Sequence, residues 1–252
     1  MTLPSSQHGL SGEGEVIGVE RDPEGVAWAT DRVAQVGLTN VRFVEGDAQT
    51  LDSIADGFDA AVGRLVLMYL PDPATALRRA AALVKPGGLV CFHECDLTYD
   101  WAAPMTPLWT QIRAWCIATV ERGKMSPRMG LSLYPTFIAA GLPPPELRLE
   151  CAVGGGDKAP AWAWANVMRG LVPLMERLGI TTAAELQPDT LAERLLDELR
   201  HAQGIVISPP MIGAVGASAG VSFDRAMWNP LVVWWTPLEQ QGDDKWPKKP
   251  EN

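Results

Sequence analysis

The 252-residue chain has no CxxC pair among its four cysteines, Cys91, Cys95, Cys116 and Cys151, so neither a zinc site nor a disulfide framework is signalled. It has no basic stripe. Its formal charge is −9, which argues against a nucleic-acid partner. No run reaches the roughly 20 apolar residues of a membrane helix. The N-terminus, Met1-Thr-Leu-Pro-Ser-Ser-Gln-His8, lacks the basic start and apolar stretch of a signal peptide. These absences predict a cytoplasmic protein with reduced cysteines. No glycine-rich phosphate loop is present either: Gly154-Gly155-Gly156 is not followed by Lys-Ser/Thr and reads as a flexible break, and there is no GxGxxG.

What the chain does have is apolar content of 47%, enough for a substantial core. Strand and helix patterns alternate over 15–94, the signature of βαβ units and a parallel sheet. Strands are expected at Glu15–Glu20, Val41–Glu45, Phe58–Arg64 and Leu89–Glu94. Asp22-Pro23 and Asp72-Pro73 are helix-start signals, with stops at Gly37 and Gly87. Beyond these, helices are expected over Trp101–Glu121, about Tyr134–Ala140, and Trp162–Leu178 with a kink at Pro173. A further helix should open on the capping-box pattern Thr190-x-x-Glu193. Glu146–Val153 and Gly204–Ser208 read as strands.

The candidate chemistry lies at the carboxyl ends of the early strands, where open α/β sheets bind ligands. Glu20 ends the first strand and can accept hydrogen bonds from ribose hydroxyls. Asp47 follows the second and can accept from an adenine amino group, with the Ala48 N–H beside it. His93 could serve as a general base or be a polar strand end. Trp109 and Trp115 could line an apolar pocket or pack the core. Cys91, Cys95 and His93 do not make a convincing metal set, so no metal is expected.

Several segments together resemble class I S-adenosylmethionine-dependent methyltransferases. They are Gly-Val-Glu-Arg-Asp-Pro at 18–23, Asn40-Val-Arg-Phe-Val-Glu-Gly-Asp47, Phe58-Asp59-Ala60, Val66-Leu-Met-Tyr-Leu-Pro-Asp-Pro73 and Lys85-Pro-Gly-Gly88. The resemblance extends through Pro127-Arg-Met-Gly130 and Ala139-Ala-Gly-Leu142 to Ser208-Pro-Pro-Met-Ile-Gly213. It implies a Rossmann-like α/β fold, a doubly wound and mostly parallel sheet with helical cover insertions. It implies S-adenosylmethionine as cofactor, with Glu20, Arg21, Gly46, Asp47 and Ala48 around the adenosine and Arg64 beside the methionine end. The expected reaction is methyl transfer to a small, partly apolar metabolite, with no catalytic base named. The alternative is a non-catalytic remnant: an interaction module, or a mis-started gene product.

Two departures from the family pattern shape the expected layout. The family opens with a strand and a Gly-x-Gly loop, and neither is recognisable before Glu15. The fold is therefore expected to be N-terminally truncated, with the edges of two parallel strands left open. The methyltransferase-like domain should span 1–214, with its core at 13–96 and its cover at about 101–140 and 157–203. Residues 215–252 should be an atypical extension, disordered and read as the product of a frame shift after Ala214. A further alternative has Leu231-Val-Val-Trp-Trp235 filling the vacated strand position.

Overall fold

A computed structural model describes residues 14–52 and 54–218. Expectations that fall on 1–13 and 219–252, including the Leu231–Trp235 strand, lie outside these residues. β1 (Val16–Glu20) leads into α1 (Pro23–Gln35), which Asp22 caps by accepting from the Glu24 N–H at 3.1 Å; Pro23 supplies the preset φ of a first helical residue. β2 (Val41–Glu45) then runs parallel to β1, Val16 opposite Val41 and Glu20 opposite Glu45. β3 (Phe58–Arg64) is followed by a 3-10 turn at Leu67–Tyr69 and by α2 (Pro73–Ala82), capped by Asp72 on the Thr75 N–H. β4 (Val84–Cys95) runs parallel to β3. It starts earlier than expected because Val84 pairs with Phe58 ahead of the irregular stretch Lys85–Gly88, where the register jumps.

The chain continues through β5 (Ala102–Ala103), α3 (Pro107–Arg122), α4 (Met129–Ala139), β6 (Glu146–Glu150) and β7 (Val153–Gly155). A 3-10 turn at Gly156–Lys158 leads into α5 (Ala161–Arg177). There follow α6 (Ala183–Leu186), α7 (Leu191–Ala202), β8 (Ile205–Ile207) and β9 (Met211–Ala217). β9 lies antiparallel between β4 and β6, giving a four-stranded sheet in the order β3-β4-β9-β6. The Rossmann-like α/β class is the one the sequence suggests. Its sheet is discontinuous among the described residues: β1–β2 form a separate pair, and β5-β8-β7 form a small antiparallel sheet.

Helices α2 and α4 cover the face of the larger sheet that carries Val90 and Phe92. A methyl group on Gly130 would strike Ile212, and one on Gly216 would meet Phe137, so α4 lies flush on β9. The principal core fills this side with Leu77, Phe92, Ile112, Leu133, Phe137 and Met168. On the opposite face Val62, Cys91 and Val215 line up across three strands. Cys91 and Val215 are buried, while Val62 is 69% exposed. β3 bonds to β4 alone and β1 to β2 alone, so each of these two strands has one unpaired edge among the described residues.

The differences from the sequence-based expectations have local causes. Trp101–Ala103 leaves the expected helix because Ala102 and Ala103 pair with β8, and the Trp101 ring stacks on Trp164 with centroids 3.5 Å apart. The glycines at 154–156 form a strand and a turn rather than a loose break, since Gly154 pairs with Val206 and its missing side chain admits the Lys158 carbonyl. α5 runs through Pro173 to Arg177. β9 continues to Ala217, three residues past Ala214, and the Ser218 N–H donates to the Gly88 carbonyl at 2.8 Å.

The capping box forms one helix earlier than its pattern suggests. Thr182 accepts from the Glu185 N–H at 3.2 Å while the Glu185 carboxylate accepts from the Thr182 N–H, whereas Thr190 makes no side-chain cap bond. Thr182→Ala should therefore cost about 1 kcal/mol in urea denaturation, and Thr190→Ala less than about 0.5 kcal/mol.

Candidate functional site

Parallel pairing in register brings the carboxyl ends of β1 and β2 together. The Gly46 N–H donates to the Glu20 carbonyl at 3.0 Å, so Gly46, Asp47 and Ala48 emerge beside Glu20 and Arg21. Glu20 is exposed but not loose: its Oε1 accepts from the Arg21 N–H at 2.8 Å and the Asp22 N–H at 3.0 Å. Gly25, in the first turn of α1, leaves room for it, because a Cβ there would come within 2.9 Å of Glu20 Cγ. Asp47 is held in the same manner, its Oδ1 accepting from the Gln49 N–H at 2.8 Å. The result is two exposed carboxylates, each anchored through one oxygen to its own loop.

Arg64 ends β3 and so belongs to the other sheet. The two parts are tied by Gln49, whose side chain donates to the Asp72 carbonyl at 3.0 Å and accepts from the Asp72 N–H at 3.3 Å. Arg79 adds a bond to the Thr50 carbonyl at 3.0 Å and an exposed contact with Asp52. Five of the six expected cofactor residues thus form one cluster at the ends of β1 and β2, with Arg64 at the end of β3.

Sequence reasoning missed Glu94. It is fully buried near the end of β4, on the face shared with Val90 and Phe92. Its Oε1 accepts from the N–H groups of Val66 and Leu67, each at 2.9 Å, and its Oε2 from Met68 at 3.3 Å. Burial pushes its carboxyl pKa up, while these three amides and Arg64 pull it down. The signal lay in the sequence as a carboxylate at the end of an otherwise apolar, covered strand. Nearby, Asp96 accepts from the Thr98 N–H and hydroxyl through Oδ1, and its buried Oδ2 has no partner among the described residues.

The other candidates take structural places. Trp109 is fully buried and donates to the Leu195 carbonyl at 3.2 Å, which makes it a core residue. Burial raises the thiols of Cys91 to about 11 and of Cys95 and Cys116 to about 12, so they stay protonated at neutral pH. Among the described residues no three His, Cys, Asp or Glu side chains are placed to hold a metal, and no helix is long and apolar enough to cross a membrane. A depression of about 480 Å³ lies between α3 and α7, and none of the strand-end candidates lines it. Its Glu198 accepts from the Leu108 N–H at 3.0 Å, serving the start of α3.

The sequence profile of a family described as a methyltransferase domain matches residues 7–141, more than half of the chain. The chain belongs to the methyltransferase family. It is of the class I, S-adenosylmethionine-dependent type. An uncharacterised methyltransferase of Schizosaccharomyces pombe is 35% identical over 91 residues, 34% of this chain and 33% of that protein. The 2-methyl-6-phytyl-1,4-hydroquinone methyltransferase 1 of Oryza sativa subsp. japonica is 39% identical over 57 residues, 23% of this chain and 17% of that protein. The matched segments thus span a third or less of these relatives. The crystal structure of the YcgJ protein of Bacillus subtilis superimposes with a TM-score of 0.51 at 20% identity, covering 82% of this chain and 83% of that one, a likeness of fold.

In this chain His93 points to the face opposite Phe92, in register with Arg64. Burial and the Arg64 charge lower its pKa to about 4, outweighing the Glu150 carboxylate 3.9 Å away. The unfolded chain, with an ordinary His pKa of about 6.5, binds the proton that the fold refuses. Stability should therefore fall as pH drops from about 6.5 to about 4, on the order of 3 kcal/mol from this group. Comparing urea denaturation of the wild type and His93→Gln over that range isolates the effect, and the His93 ring resonance in NMR should titrate near the lower limit.

Proposed function

We propose that this chain carries out S-adenosylmethionine-dependent methyl transfer to a small, partly apolar metabolite. The observation that carries the reading is the pair of anchored carboxylates, Glu20 and Asp47, at adjacent parallel strand ends. Hydroxyls of a ribose and an amino group of a purine are donors, and such carboxylates offer acceptors without a further conformational cost. Glu20 would hold the ribose, with Arg21 flanking the adenine. Asp47 and the backbone of Gly46 and Ala48 would meet the adenine edge. Arg64, a cation at the next strand end, suits the carboxylate of an amino-acid moiety.

The cofactor, when bound, supplies an electrophilic methyl on sulfur. What the protein contributes is placement of the acceptor and exclusion of water. The half-exposed ring of Tyr69, on the turn after β3, gives the mouth apolar character. A hydroquinone methyltransferase among the relatives supports an acceptor of the same small, partly apolar kind. The working location is proposed to be the cytoplasm.

One observation favours a second reading, a non-catalytic methyltransferase-like module: β1 and β3 each keep an unpaired edge among the described residues. Calorimetric titration with S-adenosylhomocysteine separates the two. The enzymatic reading expects binding by the wild type, weakened about 10- to 100-fold in Glu20→Gln and in Asp47→Ala, the loss of one charge-assisted hydrogen bond. A folded wild-type chain that gives no heat of binding would favour the module.

A further inference from the structure

Glu94 buries a carboxylate completely, at a cost that a capped apolar strand end would avoid. What it obtains is the conformation of one turn. Three consecutive amides, Val66, Leu67 and Met68, converge on its two oxygens. The preceding Leu65 has φ of 52°, a left-handed conformation that is strained for a non-glycine residue and persists only where the surroundings hold it. The turn is pinned elsewhere too. The Leu65 N–H donates to the His93 carbonyl at 2.9 Å, and the Met68 carbonyl accepts from the Ser126 N–H at 2.8 Å. Arg64 stands immediately before this turn and Tyr69 ends it, half exposed. The buried carboxylate therefore sets the backbone of the segment between the proposed cofactor cation and the proposed mouth.

We infer that Glu94 is a positioning residue for the amino-acid end of the cofactor: it locks the 65–68 turn and thereby fixes Arg64 and its neighbouring backbone. The inference rests on the methyl-transfer reading. It assigns different work to the two acids at different depths. Glu20 and Asp47 meet the ligand themselves, while Glu94 is covered and acts through the turn.

Adenosine and S-adenosylhomocysteine are the probes, because they share the adenosine part and differ in the amino-acid part. Glu94→Gln keeps the volume but turns an amide donor toward one of the three converging N–H groups. The inference expects S-adenosylhomocysteine to bind Glu94→Gln about tenfold or more weakly than wild type, with adenosine affinity unchanged. A purely structural role would lower both affinities together or neither, and either result overturns the inference. Should Glu94→Gln fail to fold, Glu94→Asp replaces it. That variant keeps the charge but draws the carboxylate back one methylene from the three amides, and the same selective loss is expected; equal affinities for S-adenosylhomocysteine in Glu94→Asp and wild type would overturn the inference. If neither probe binds wild type, the cofactor reading fails, and this inference with it. If S-adenosylhomocysteine binds wild type and the variants alike, the cofactor reading stands and this inference alone falls.

Discussion

Strand β4 is hydrogen-bonded on both edges, to β3 in parallel and to β9 in antiparallel, and the arrangement of the candidate site depends on that pairing. One face of β4 packs on α2 and α4, which places Phe92 and Val90 in the core and carries Glu94 inward with them. The other edge relation aligns the carboxyl end of β3 with that of β4, so the turn leaving β3 arrives over the Glu94 carboxylate. A buried acid would be costly alone. Here three backbone amides that a 3-10 turn leaves without internal partners meet it, and each solves the other's problem.

Depth separates the tasks of the acids. Glu20 and Asp47 stand in solvent, and each is oriented by the N–H groups of its own loop. Carboxylates in that state suit exchange of water for ligand hydroxyls and amines. Glu94 has already exchanged its water for peptide groups. Between these two regions the described strands do not form one continuous sheet. The link is made by Gln49 to Asp72 and Arg79 to Thr50, side-chain and backbone hydrogen bonds rather than a ladder. Arg79 with Asp52 is exposed and adds little.

Much of the fold was legible because its determinants are local. Asp22-Pro23 and Asp72-Pro73 start helices where their chemistry requires, and Val41–Glu45 and Phe58–Arg64 are strands with the expected limits. The position of Glu20 and Asp47 at strand ends was readable from spacing alone. Features set by distant partners were not. Whether Thr182 or Thr190 completes a capping box depends on how each loop approaches its helix. Trp101 follows helical spacing, yet stacking on Trp164 and the pairing of Ala102 with Val206 hold it outside the helix. The orientation of Glu94 follows from the register of β4 against β3 and β9, which no local pattern encodes. Arg64 matched a family position, but its place beside a clamped turn came only from the fold.

We propose that the cofactor lies across the carboxyl ends of β1, β2 and β3. Mapping amide chemical-shift changes by NMR during titration with S-adenosylhomocysteine tests it most directly. The largest changes should fall on Arg21, on Gly46 to Ala48 and on Leu65 to Met68, while the β5-β8-β7 sheet stays unperturbed. Changes centred on the α3–α7 depression, or spread evenly over the chain, would contradict it.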